Sequence, residues 1–138
     1  MCLEVTETAL LHDLSQIGET VRWLGEYGTL AAVDDFGAGY ASLAYIRQLP
    51  VHLLKVDSQY VAGVGVDTRD EHLILAMTLL GHDLGLKVLA EGVETQAQLE
   101  WLAKTGCDFA QGFLLSPPLG PSELIDLARV YSPISGQG

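Results

Sequence analysis

The sequence reads as an α/β protein built on a parallel sheet, and three observations carry that reading. Five short apolar runs recur at spacings of roughly 22–34 residues. Segments of helical period separate them, and acidic residues gather where the runs end. Runs this apolar, with little alternation, suit strands covered on both faces, as parallel sheets require.

Taken in order, the first strand is expected at 2–7 (CLEVTE). Leu10, Leu14, Ile17, Val21 and Leu24 then follow one helical stripe that closes near Gly28. A second strand spans 30–36 (LAAVDDF), and a short helix over 42–49 is ended by Pro50. The third strand is 53–58 (LLKVDS), and Leu73, Ile74, Met77, Leu80 and Leu84 mark the helix before Gly85. The fourth strand is 87–93 (KVLAEGV). Thr95 and Gln98 form a capping box for a helix bearing Leu99 and Leu102, which stops at Gly106. The fifth strand is 109–114 (FAQGFL), and Pro121 suits the first turn of a last helix with Leu124, Leu127 and Ala128. Residues 1–131 are expected to form one unit, with 132–138 as a frayed tail.

Composition narrows the possibilities. At 138 residues, 49% hydrophobic and 18% charged, the chain suits one folded domain rather than two, or a disordered segment. Cys2 and Cys107 are too few for a disulfide scaffold, and no CxxC is present to hold zinc. No apolar run approaches the ~20 residues of a membrane span. No basic, then apolar, leader opens the chain, so a cytoplasmic address is expected. Seven Lys+Arg against 18 Asp+Glu give a net charge of −11, which repels DNA. A phosphate-bearing ligand would need bound cations.

The placement of the acids is more informative than their number. Glu4, Glu7, Asp34, Asp35, Asp57, Glu91 and Glu94 stand at or just past strand ends, where parallel α/β sheets build their sites. Carboxylates converging on one rim repel each other unless a cation lies among them. Divalent, oxygen-seeking Mg²⁺ or Mn²⁺ answers that need. The strand-borne base in the set is Lys55, on the same face as Asp57 by strand period. Duller roles remain open. Glu7 and Glu94 could complement helix N-termini, Asp57 could form a structural ion pair with Lys55, and Asp34-Asp35 ahead of Gly37 and Gly39 could be a turn. His12, His52, His72 and His82 share no metal-ligand spacing and read as bystanders.

Two architectures fit an acidic pair, a further Asp and a Lys in five βα units. In a receiver-like doubly wound domain the pair ends the first strand and the Lys the fifth. Here the pair ends the second, and Lys55 lies within the third, which favours a segment of a (β/α)₈ barrel. Five motifs in order decide between them: LEVTET, DDFGAGYASL, LLKVDSQYV, VLAEGVET and QGFLLSPPL. Together they closely resemble the carboxy-terminal part of the EAL family, bacterial phosphodiesterases of cyclic di-GMP, over roughly residues 3–128.

The resemblance implies a partial TIM (β/α)8-like barrel, about five βα units with parallel strands. It further implies two Mg²⁺ or Mn²⁺ ions and a linear pGpG product. Glu4 matches the family's metal-binding Glu, Asp34 the carboxylate bridging both ions, and Asp35 a ligand of the second. Lys55 matches the active-site lysine, and Glu91 the further active-site acid, a ligand of the second metal or a catalytic base. Gln111 matches a substrate-site glutamine, while Glu7 and Glu94 match supporting acids and the 36–40 loop a substrate and dimer segment. Ala38 stands where the family usually has Thr, Ser58 replaces a common Arg, and Pro117 a basic residue. The family's namesake Glu-Ala-Leu segment is expected upstream. The implied activity is cyclic di-GMP hydrolysis for a parent protein, with the 138 residues inactive alone. The alternative is a non-catalytic module that binds cyclic di-GMP or a protein. Unpaired barrel edges predict a homo-oligomer, with Val33, Leu54 and Val88 among the residues left uncovered.

Overall fold

In a computed structural model, residues 1–34, 36, 43–116 and 122 are described. The order of elements is β1 (Cys2–Thr6), α1 (Glu7–His12), α2 (Leu14–Gly25), β2 (Leu30–Asp34), α3 (Leu43–Gln48) and β3 (Leu53–Val56). Then follow α4 (Ser58–Ala62), α5 (Thr68–Asp83), β4 (Lys87–Glu91), α6 (Gln96–Thr105) and β5 (Phe109–Gln111). Asp35, most of the 36–40 loop, the helix expected after Pro121 and the tail lie outside the described residues.

Five parallel strands make one sheet in the order β1-β2-β3-β4-β5, as the alternation predicts. All five end earlier than expected. At two of these ends the residues read as the strand's polar tip are helix caps instead. The Thr6 side chain accepts from the Ala9 N–H, so Glu7 already belongs to α1. Asp57 accepts from the Gln59 N–H and starts α4, a helix the sequence reading does not contain. The single stripe from Leu10 to Leu24 is broken in two, because Asp13 leaves helical geometry and caps α2 through the Gln16 N–H. The capping box at Thr95 and the left-handed stop at Gly106 (φ 89°) are both present.

Register divides the sheet into two faces. Leu3, Val5, Ala31, Val33, Leu54, Val56, Val88, Ala90 and Ala110 share one face through the pairings Val5↔Val33, Val33↔Leu54, Leu54↔Val88 and Ala90↔Ala110. The helices cover this face: α2 packs on β2, and α5 on β3 and β4. Gly81 of α5 lies so close that an added Cβ would stand 2.7 Å from the Val88 side chain. The expectation for Val33, Leu54 and Val88 is therefore corrected. They are 0–1% exposed, inside the helix-covered core. The other face carries Glu4, Asp34, Lys55 and Glu91 with Leu30, Leu53, Leu89 and Phe109. Leu30 is 47% and Phe109 52% exposed, so this face has no covering layer among the described residues. No helix among them is long and apolar enough to cross a membrane.

Candidate active site

Strand period and register together build the site. Lys55 is the third residue of β3, two positions from Leu53, and so points to the open face. Glu4 on β1 and Asp34 at the end of β2 reach the same face, and Glu91 does so at the end of β4. Ala32, beside Glu4 in register, is a small buried residue on the same face.

Lys55 is 4% exposed, and its Nζ lies 2.5 Å from Glu4 Oε1, 2.6 Å from Glu91 Oε1 and 3.8 Å from Asp34 Oδ2. Burial works against its charge, but the hydrogen bonds that it donates to Glu4 and Glu91, with the charges of Glu91 and Asp34, outweigh it. The ammonium pKa is raised above its ordinary value. Lys55 is thus a fixed cation and hydrogen-bond donor at neutral pH, and a poor proton acceptor.

The remaining sequence-predicted residues are placed differently. Gln111, last in β5, pairs in register with Glu91 and is exposed beside it. Glu7 is buried in the first turn of α1. Glu94 is exposed just before α6 and makes its hydrogen bond with its backbone N–H, to Gln98 Oε1. Asp57 caps α4 instead of pairing with Lys55; the structural ion pair left open as an alternative for these two gives way to pairs of Lys55 with three acids on other strands. Asp35 lies outside the described residues. His52 and His82 are engaged structurally: His52 Nδ1 accepts from the Ala31 N–H at 3.2 Å, and His82 Nε2 lies 2.7 Å from Asp108 Oδ2.

Two glycines let the loops that carry the site close on one another. Gly92 takes φ 74°, and a Cβ there would stand 2.5 Å from that of Ser58. A Cβ on Gly112 would lie 2.3 Å from both the backbone N and O of Val93. In return the Val93 N–H donates to the Gln111 carbonyl, and the Leu114 N–H to the Val93 carbonyl, each at 3.0 Å. The loops after β4 and β5 therefore form one ledge beside Glu91 and Gln111. Sequence reading found the capping role of Gln98 but not its reach to α4: Nε2 donates to the Val61 carbonyl at 3.2 Å.

Glu4, Asp34 and Glu91 offer the hard oxygen donors that Mg²⁺ or Mn²⁺ prefers, so the donor chemistry fits such an ion. Glu4 and Glu91 are drawn onto the Lys55 ammonium, and no group of three His, Cys, Asp or Glu among the described residues is placed to hold a metal by itself.

Comparison with known proteins bears on this arrangement. The EAL domain pattern matches residues 1–118. The chain is 42% identical over 129 residues to the cyclic di-GMP phosphodiesterase NbdA of Pseudomonas aeruginosa, covering 94% of this chain and 16% of that protein. It superposes on the PaMucR phosphodiesterase in complex with c-di-GMP with a TM-score of 0.83 and 40% identity, covering 89% of this chain and 50% of that one. A manganese and cyclic di-GMP complex of BlrP1 from Klebsiella pneumoniae matches with a TM-score of 0.72 and 34% identity, over 82% of this chain and 29% of that one.

Proposed function

Because the chain belongs to the EAL domain family, we propose that it supplies the lysine–carboxylate wall of a cyclic di-GMP phosphodiesterase site. The observation that carries this reading is the buried Lys55 ammonium gathered by Glu4, Asp34 and Glu91 on one uncovered sheet face. Residues 1–131 then form the carboxy-terminal part of a TIM-like barrel in a longer, cytoplasmic parent. Glu4 and Asp34, with Asp35, would hold two divalent ions. Bound there, such ions supply charge neutralisation at a phosphoryl group and a water of lowered pKa.

The chain's own residues account for the rest. Lys55 stays protonated and donates towards phosphate oxygens as negative charge develops on them. Glu91, held by Lys55 at 2.6 Å, orients an attacking water and accepts its proton. Gln111, next to Glu91 in register, offers an amide to the substrate. Glu7, buried at the head of α1, takes the supporting role that the family resemblance gives it. Asp57 acts indirectly by starting α4, and Glu94 by ending the ledge after β4. Hydrolysis opens one phosphodiester ring bond and leaves the linear dinucleotide pGpG.

For the 138 residues alone we infer no turnover. The site face is uncovered, and no three described ligands converge on one ion. The test is chromatographic: a complete EAL barrel carrying this segment should convert cyclic di-GMP to pGpG in Mg²⁺ or Mn²⁺. Lys55→Ala or Glu91→Ala should each remove most of that activity. Tight cyclic di-GMP binding without product would instead establish a non-catalytic binding module, and turnover by the 138-residue chain would overturn the inference about it.

A further inference from the structure

We propose that Gln98 is a positioning residue for the Lys55–Glu91 pair, an inference that rests on the functional reading above. Gln98 is buried, 9% exposed, and no part of it touches the site. Its Oε1 accepts from the Glu94 N–H at 2.8 Å and the Thr95 N–H at 3.0 Å, while its Nε2 donates to the Val61 carbonyl at 3.2 Å. Two backbone donors aimed at one oxygen settle the amide orientation, since the flipped amide would set N–H against N–H.

Those three bonds join the segments that follow the two halves of the pair. Val61 lies on α4, whose cap Asp57 is two residues past Lys55. Glu94 and Thr95 lie three and four residues past Glu91. Between them Val93 is fully buried, with its N–H bonded to the end of β5 at Gln111 and its carbonyl to Leu114 in the loop that follows. The exit from β4 is thus held from one side by Gln111 and Leu114 and from the other by Gln98. Through Gln98 alone among these bonds, it is tied to the helix after β3. The ladder between β3 and β4 sets their register; beyond it the amide braces the segments that leave the two strands, and with them the ends that present Lys55 and Glu91, groups 2.6 Å apart.

The capping role can be separated from the tie by chemistry. Glutamate at this third helical position is itself a standard capping-box residue, and a carboxylate in the first turn suits the helix dipole. Gln98→Glu therefore keeps both bonds at the head of α6, while it sets an acceptor oxygen against the Val61 carbonyl and breaks the link to α4. Gln98→Ala removes cap and tie together.

Two readouts decide the matter. In ¹⁵N-resolved lysine ammonium spectra of this chain, with Lys55→Met assigning the signal, Gln98→Glu should shift the Lys55 ammonium resonance and speed its exchange. In a complete EAL barrel carrying this segment, the same variant should lower kcat for cyclic di-GMP roughly ten- to a hundredfold, with KM little changed, as small misplacements of reacting groups do. An unaltered Lys55 signal in Gln98→Glu overturns the proposal. So does a loss of kcat that tracks thermal stability equally in Gln98→Glu and Gln98→Ala. A shifted Lys55 signal in a barrel whose wild type does not hydrolyse cyclic di-GMP overturns the functional reading while supporting the tie.

Discussion

Replacing Lys55 by methionine, which keeps length and loses charge, tests the electrostatic account of the site directly. At an effective dielectric of ~20, a unit pair at 4 Å is worth about 4 kcal/mol before desolvation, and desolvation costs several kcal/mol per ion. Breaking a buried pair from one side costs about 3–5 kcal/mol. Here the abandoned acids are not deeply buried: the side chains of Glu4, Asp34 and Glu91 are 51%, 19% and 26% exposed. Water can resolvate them, so a loss of about 2–3 kcal/mol is expected. For a chain of this size each kcal/mol moves Tm by roughly 3–5 °C, giving a fall of roughly 6–15 °C. The wild type should show no pH dependence from this group between pH 6 and 9. A lysine whose folded pKa is raised contributes its stability fully below its ordinary value of 10.5 and loses it only as pH rises through the higher folded value. In Lys55→Met the three carboxylates lose the ammonium that gathers them. The deficit should therefore shrink on adding millimolar Mg²⁺ or Mn²⁺, which should raise the variant's Tm more than the wild type's. Differential scanning fluorimetry across pH, with and without metal, reads both effects. A variant melting within about 2 °C of wild type at neutral pH would refute the reasoning, because the lysine would then carry no net stabilisation.

Other expectations concern other parts of the fold. Burial pushes the Asp108 carboxyl up, but the His82 hydrogen bond, the Val88 N–H and the Lys87 charge outweigh it and hold it below the usual carboxylate range. Its contribution is therefore complete above its unfolded pKa and lost as pH falls through the folded one. Asp108→Asn should cost about 1–2 kcal/mol at neutral pH and flatten the acid limb of a urea-melt series, and an unchanged acid limb would count against it. Gly112→Ala should destabilise by about 2 kcal/mol or more, since its Cβ would meet the Val93 backbone at 2.3 Å; an unchanged urea midpoint would contradict this. The apolar residues of the uncovered face should drive self-association of the 138 residues. Light scattering should give a dimer or larger species that grows with concentration, and a monomer at every concentration would exclude it.

Much of this was legible in the sequence because parallel strands advertise themselves as apolar runs, and their functional residues fall where the runs stop. Glu4, Lys55 and Glu91 meet as the strand ends predict. The errors have local physical causes. Thr6 and Asp57 are polar residues at strand ends, and a polar terminus and an N-cap look alike until the next turn is seen; Asp57 followed by Ser58 and Gln59 was a readable helix start. The stripe through Leu10, Leu14 and Leu24 hid the break at Asp13, since hydrophobic period survives a cap that merely re-aims the helix. The burial of Val33, Leu54 and Val88 departs from the expectation because apolar residues stand on both faces of β2 to β4, with Leu30, Leu53 and Leu89 on the open one. The correcting signal was adjacency: Val33 precedes Asp34 and Leu54 precedes Lys55, so strand alternation sets each against its charged neighbour. The bond from Gln98 to Val61 joins residues 37 apart in sequence and left no local trace.

The order of the strands has a consequence for how the chain comes into being. Each strand from β2 onward pairs with the strand made just before it, so the sheet can grow by accretion on a translating ribosome, each hairpin-free crossover closing a loop of only a few tens of residues. Loop-closure entropy rises slowly with length, and no strand has to wait for a distant partner before its edge is covered. Synthesis and assembly can therefore run in the same direction.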